Sequence, residues 1–320
     1  MELILADKNG TDIRYLSFKK ADFDIGNEND FEIVIALDDW KADIEYGHRI
    51  YEAGTECGGI VGGIKTDTEY DEITIAGFTW RGLLDRKIIE PAQGTAYRKV
   101  SGDVNDIIRS MLSQADFSDI ITGIGTKAGI SVSSYQFNRY VTLLEGLKSM
   151  LLSVGCKLLI RASETGKIEV SAVPIIDYSN QIEMSQNYGV DFVIEKKNNV
   201  TNHLICLGAG ELENREILHL YLQKDGKIGK TPYYTGINEI AETYDFSNSE
   251  DLEADGIEHF KELISNTALT VNVSELDIDV GIGDYLGGRD YITGTKIAKP
   301  LASKIITVEE TASIEYNLEE

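Results

Sequence analysis

Cysteine is scarce in this 320-residue sequence: Cys57, Cys156 and Cys206 stand far apart. An odd count without a close pair excludes a disulfide framework and predicts buried free thiols formed in a reducing compartment. Only four prolines occur, and they mark no linker, so the regions of the chain are expected to pack together. Basic charge is short too. Thirty Lys and Arg face 54 Asp and Glu, a formal charge of −24, and no basic run exceeds two residues. Phosphate affinity comes from Lys and Arg displacing counterions, so binding to nucleic acid or to anionic membranes is not expected. Long apolar runs are missing: no stretch approaches the ~18–20 residues that span a bilayer. The opening MELILADKNGTD has neither the basic start nor the apolar core of a signal peptide. Synthesis in a cytoplasm, as a soluble protein, is expected.

Recognisable catalytic motifs are also lacking. The four histidines, His48, His203, His219 and His259, form no HExxH or HxH pattern and no Cys-linked one, and no G-x-S-x-G elbow occurs. Gly208 and Gly210 follow an apolar strand as in a dinucleotide fingerprint, but the third glycine is replaced by Glu213 and no helix opens there. A glycine-containing turn explains them better. Gly229-Lys230-Thr231 ends like a phosphate-binding loop, yet Lys224 stands where its first glycine belongs, so a charged hairpin tip is expected. Asp277, Asp279 and Asp284 suggest calcium, but the fifth and twelfth positions of such a loop would be Gly281 and Gly288. Strand alternation accounts for Asp277 and Asp279 as the solvent face opposite Leu276, Ile278 and Val280. No catalytic, cofactor-binding or metal-ligating residue is therefore assigned, and no cofactor is expected.

What is present is strand pattern, with charge distributed unevenly. Residues 1–95 carry 20 acidic and 10 basic side chains, residues 96–187 nine of each, and residues 188–320 carry 25 and 11. Two acidic blocks flank a neutral middle. In the first block, FEIVIALDDW (residues 31–40) is apolar on both parities, as in a strand covered on both faces, and YDEITIAGFTW aligns Ile73, Ile75 and Gly77. The middle reads differently. Val104, Ile107, Ile108, Met111 and Leu112 are spaced as one helical face. A second helix opens on the capping box Thr142-x-x-Glu145, carries Leu143, Leu144, Leu147, Met150, Leu151 and Val154, and stops at Gly155. CKLLIRASETGKIEVSAVP then predicts a hairpin turning at Glu164-Thr165-Gly166. Strands return after residue 190, interrupted by a helix that opens at Ser247-x-x-Glu250. A phase change at Ser274–Glu275 implies a bulge or turn.

Two features remain open to more than one reading. Gly58–Ile60 and Gly62–Ile64 could cradle a phosphate, but KTDTEYDEITIAG after them is a turn and a strand with no helix start. They read instead as a strand pair whose glycines permit a bend or a close backbone approach. Trp80 and Arg81 suit an interface hot spot, or a core Trp with its Arg paired to a nearby acid.

YEAGTECGGIVGGI, ITIAGFTWRGLLDRKII, TLLEGLKSMLLSVGCKLLI, NHLICLGAGE and VNVSELDIDVGIGDYLGG, in this order, resemble the tail-hub or baseplate-hub proteins of siphophages, prophages and contractile bacteriocins. The resemblance implies a β-rich α+β fold with two similar antiparallel β-barrel ring domains, residues 1–97 and residues 188–236 with 268–320. Residues 98–187 would form a peripheral α+β domain and residues 237–267 a helical insertion. It implies a structural, non-enzymatic role: a homotrimeric, pseudo-sixfold ring at the tail tip of a virion or phage-like particle. Its partners would be itself, the tail tube or distal tail protein, a central spike or fibre, and the tape measure protein. Some relatives carry a C-terminal peptidase or lysozyme; here the final strands run to Glu320, and no lytic activity is expected. The alternatives are a cell-wall hydrolase with an unrecognised carboxylate pair and a hexameric distal-tail ring protein.

Overall fold

A computed structural model gives the fold. It describes every residue except 118–119, 180–182, 186–190, 197–199, 248–250, 265–266, 274–279, 290, 295 and 320; for 183–185, 191–196 and 267–273 the backbone alone is described. Two compact units emerge, one of residues 1–192 with 270–319 and one of residues 193–269.

Alternation of apolar residues builds the start of the first unit. Its strands are β1 (Ile4–Ala6), β2 (Asp12–Tyr15), β3 (Lys20–Ile25), β4 (Asp30–Ala36), β5 (Arg49–Tyr51), β6 (Gly58–Asp67) and β7 (Glu72–Thr79). Ala21 and Phe23 of β3 lie opposite Ile33 and Phe31 of β4, all four buried on one face. The Phe23 and Phe31 rings stack with centroids 5.8 Å apart. The other face of β4 departs from the expectation of full cover. Val34 and Ala36 are half-buried and Glu32 is exposed, because a carboxylate on that parity keeps its hydration unless it is paired.

The middle of the chain forms β8 (Lys99–Asp103), β9 (Ile121–Gly123), β10 (Ser131–Gln136), β11 (Cys156–Ala162) and β12 (Ile168–Pro174), with helices α1 (Trp80–Asp85), α2 (Val104–Gln114) and α3 (Leu143–Leu152). All five residues of the expected α2 face are buried. The Asp103 carboxylate caps α2 by accepting from Asn105 N at 3.0 Å, and it also accepts from Ala128 N and Gly129 N. One side chain thus satisfies helix donors and pins the Gly-rich loop. Thr142 caps α3 as expected, accepting from Glu145 N at 3.2 Å. The β11–β12 hairpin runs in full register from Cys156↔Pro174 to Ala162↔Ile168, with β9 parallel at its edge. Helices and hairpin share one core around Leu147, Met150, Ile160 and Val170. The three cysteines are free and buried, as expected.

After β13 (Glu183–Ser185) and β14 (Asp191–Lys196) comes the second unit, with β15 (His203–Leu207), β16 (Ile217–Leu222), β17 (Ile228–Gly229), β18 (Ala241–Asp245) and α4 (Leu252–Leu263). The sheet order is β17-β16-β15-β18, and Leu204, Cys206, Leu220 and Phe260 form its core. Strand β18 falls in the stretch expected to be a helical insertion, yet it pairs with β15 in this sheet. Helix α4 is capped by Asp251, which accepts from Ala254 N at 3.0 Å, four residues beyond the expected Ser247. Asp251 places its carboxylate over the first free amides of α4, while Ser247 N is taken up by Asp245. The partner expected for Ser247, Glu250, lies outside the described residues.

Four late strands follow, β19 (Thr267–Val273), β20 (Tyr285–Arg289), β21 (Lys296–Val308) and β22 (Ala312–Leu318), and from residue 270 onward they belong to the first unit. One hydrogen-bonded path runs β14-β19-β22-β21-β3-β4-β7-β6-β5-β1-β2. The join is β21 to β3, from Lys304↔Ile25 to Val308↔Ala21. The class is β-rich α+β. Early and late strands, expected in two separate barrels, share this open path, and no closed barrel occurs among the described residues. The phase change expected at Ser274–Glu275 and the alternation of Leu276–Asp279 lie outside those residues.

Both GGI units sit on the single strand β6 and not on a pair, because Gly62 makes a bulge where a turn would be needed: the β6–β7 register shifts between Val61 and Gly63. The two units do different work. A Cβ at Gly59 would lie 2.1 Å from the Phe78 carbonyl oxygen and 2.7 Å from the Phe31 ring, and one at Gly77 would lie 1.9 Å from the Ile60 carbonyl oxygen. At Gly62 the nearest atom is 3.8 Å away. Gly59→Val is therefore expected to cost about 3 kcal/mol by overpacking, and Gly62→Ala to stay within about 0.5 kcal/mol of the wild type. Chemical denaturation of the two variants checks the contrast; equal losses would contradict it.

Two ion pairs make a part of the stability depend on pH in the acid range. Arg14 donates to both oxygens of Asp43 at 2.8 and 2.9 Å, and this bond holds the Asp43 pKa below its ordinary value. Arg215 Nη2 pairs with Asp245 Oδ2 at 2.8 Å, and this bond lowers the Asp245 pKa to about 2. A depressed aspartate contributes stability above its unfolded value of about 3.9 and loses it as pH drops through the folded value. Arg14→Gln and Arg215→Gln should each lower the urea midpoint at pH 5 and converge on the wild type near pH 2. A constant difference across that range would refute the linkage.

Candidate functional site

Trp80 and Arg81 occupy the junction between the early strands and the helical core. Helix α1 begins directly after β7, which swings the Trp80 side chain into the core shared by α2, α3 and the β11–β12 hairpin; Trp80 is fully buried. Arg81 is 2% exposed. Its Nε donates to Glu56 Oε1 at 2.5 Å, and its Nη2 donates to Glu56 Oε2 and to the Leu158 carbonyl, each at 3.3 Å. The pair belongs to the core of the chain, and of the two readings it is the arginine paired to a nearby acid.

Beside this junction lies a cleft of about 950 Å³. One wall is a face of the β21–β22 hairpin. Lys304, Ile306 and Val308 alternate along β21, while Ala312 and Ile314 pair across from Val308 and Ile306 on β22. The opposite wall is the outward face of β11, with Lys157, Leu159 and Arg161 alternating, and Val173 of β12 beside Lys157. The inward parity of β11, Cys156, Leu158 and Ile160, is spent on the helical core. The segment Glu52–Cys57 forms the end of the cleft.

Most charges around the cleft are already committed. Glu56 holds Arg81. Glu52 accepts from Glu2 N at 2.9 Å and stands 4.0 Å from the Met1 amine. Lys157 pairs with Asp284, a fully buried carboxylate that also accepts from Ile176 N at 2.8 Å and Gly281 N at 3.0 Å. These bonds replace hydration and justify burying the charge. Asp284 is thus a structural clamp between β11 and the β20 turn. Asp277 and Asp279 lie outside the described residues. Burial raises the Cys57 thiol at the cleft end to about 12, so it is not a nucleophile at neutral pH. Lys304 makes no ion pair among the described residues.

The second unit brings together residues that the sequence leaves apart. His203 Nδ1 lies 2.6 Å from Glu239 Oε1, His203 Nε2 lies 2.8 Å from His219 Nδ1, and the His203 ring stacks on Tyr221 at 4.3 Å. A carboxylate only accepts, so His203 Nδ1 carries the hydrogen, and in the neutral ring Nε2 accepts from His219. The signal is register: His203 pairs with Tyr221 and Ile205 with His219, which puts both histidines on one face of the hairpin. Sequence spacing cannot supply that register. Among the described residues no group of three His, Cys, Asp or Glu side chains is placed to hold a metal. Gly210 lies in a turn after β15, with φ +96°. The β16–β17 tip is closed by Gln223 and Lys227, and Lys230 beyond it pairs with Glu253. No helix among the described residues is long and apolar enough to cross a membrane.

No family model matches the sequence, and no curated protein matches it either. Solved structures do. The tail protein from Neisseria meningitidis MC58 is 15% identical, with a TM-score of 0.57 covering 100% of this chain and 97% of that one. The 43 kDa tail protein of prophage MuSo2 from Shewanella oneidensis is 12% identical, with a TM-score of 0.60 covering 100% and 98%. The prophage tail protein gp18 from Listeria monocytogenes EGD-e is 12% identical, with a TM-score of 0.50 covering 99% and 94%. Over nearly the whole of its length, this chain has the fold of these tail proteins.

Proposed function

We propose that the protein is the structural hub of a phage-type tail tip, a homotrimeric ring that joins a hexameric tube to a threefold spike or fibre. The observation that carries this reading is the likeness to tail proteins over nearly the full length of both chains. Strands of residues 1–97 and 268–320 would supply the ring wall, and residues 98–187 would lie at its periphery. The open sheet path supports such a wall. An open path leaves strands at its ends, and three copies in a closed cyclic arrangement can complete a barrel that one copy cannot. The tube or distal tail protein, the tape measure protein and the spike are then the partners, and the place of action is the particle.

A role without catalysis agrees with how the cleft acids are used, since Glu56 holds the Arg81 guanidinium and Glu52 accepts from the Glu2 amide beside the Met1 amine. Native mass spectrometry of the purified chain should give a trimer, and electron microscopy of the parent particle should place it at the tube's tip. A hexamer would favour the distal-tail ring. Peptidoglycan cleavage abolished by one carboxylate substitution would favour the hydrolase.

A further inference from the structure

The cleft between the β21–β22 hairpin and β11 has a composition that selects an occupant. Its two walls are strand faces, so side chains recur along them at every second residue. Ile306, Val308 and Ile314 face Leu159 and Val173, an apolar pair of surfaces open to solvent at about 950 Å³. That volume lies at the upper end of the range for binding sites, about 300–1,000 Å³. Lys304 continues the same parity of β21 and has no acidic partner among the described residues. Arg161 stands on the opposite wall. In a chain of net charge −24, a carboxylate approaching most of the surface is repelled. In this cleft it meets an uncommitted ammonium beside apolar surface.

We infer that the cleft docks an extended segment of another tail polypeptide in which apolar side chains alternate with carboxylates. An extended strand presents residues with the same period of two as both walls; its apolar side chains would fill the gap against Ile306, Val308 and Leu159, and a Glu or Asp of the same segment would reach Lys304. That the source is a tail polypeptide rests on the hub reading; the chemistry of the segment rests on the cleft alone. Lys157 does not contribute, since Asp284 holds it.

The test is isothermal titration of the full chain with acetyl-Val-Glu-Val-Glu-Val-amide, its Lys-for-Glu counterpart, and dodecanoate. Saturable one-to-one binding of the acidic peptide is expected, weakened by added salt and at least about tenfold tighter than the basic one, the scale of one hydrogen bond to a charged group. Lys304→Glu should abolish that preference and Lys304→Met should reduce it about tenfold, with circular dichroism confirming the fold; if the Glu variant does not fold, the Met variant carries the measurement. Ile314→Asp should weaken the acidic peptide further. Absence of saturable binding, equal binding of both peptides, or affinity unchanged by Lys304→Met would overturn the inference. Binding of dodecanoate without the peptide would overturn it in favour of a small amphiphile. The native mass of the same sample reads the ring independently, so a trimer that ignores the peptide would fail this inference and leave the hub standing.

Discussion

Arg81 holds a full charge where only 2% of the residue is exposed, and the arrangement of the first unit turns on how that charge is satisfied. Glu56 comes from the segment before β6, Arg81 from α1, and the Leu158 carbonyl from β11. One guanidinium therefore fixes three elements that are distant in sequence. Loss of one partner from a buried pair costs about 3–5 kcal/mol, because the other charge is stranded. The neighbouring Trp80 adds the apolar half of the same junction, carrying the early strands into the helical core. Asp284 repeats the logic at the far side of β11, where Lys157 and two backbone amides satisfy a fully buried carboxylate. Two buried charges hold β11, one at the Leu158 carbonyl and one through Lys157, and the cleft is the space left between β11 and the late hairpin.

Local order was legible wherever a single segment carried enough of it. Helices α2 and α3 announce themselves through continuous apolar faces, α3 also through its cap at Thr142, and the β11–β12 hairpin through its turn at Gly166. Helix α1 has six residues, fewer than two turns, and its periodicity is too short to separate from the strand before it. At α4 the sequence pattern points to Ser247 as the opening, while Asp251, four residues on, is the side chain that reaches a free amide of the first turn. For β4, the pattern of apolar residues suggested cover on both faces, while Glu32 on the second parity shows why one face stays open.

Partnership between distant segments was the part that did not show. No local pattern says that β21 pairs with β3, that β18 joins β15, or that His203 meets His219 across a hairpin whose register is set elsewhere. The cleft is of the same kind. Lys304, Leu159 and Glu56 are ordinary residues of three ordinary segments, and only the tertiary arrangement makes one of them an uncommitted cation on an apolar wall. The glycines of β6 stand between these cases. Their need for a near backbone was readable, but the neighbours that come near, Phe78 and Phe31, were not.

The join of β21 to β3 has a consequence for the making of the protein. Strand β3 is complete at residue 25, yet its partner begins to appear only near residue 304. At about 5–20 residues per second, the ribosome needs on the order of tens of seconds to deliver it. Through that interval one side of β3 presents unsatisfied amides and carbonyls next to Phe23 and Ile25. A nascent chain in that state is a template for wrong pairing with its neighbours on the same message. Translation speed over the long middle of the chain therefore belongs to the folding problem of this molecule.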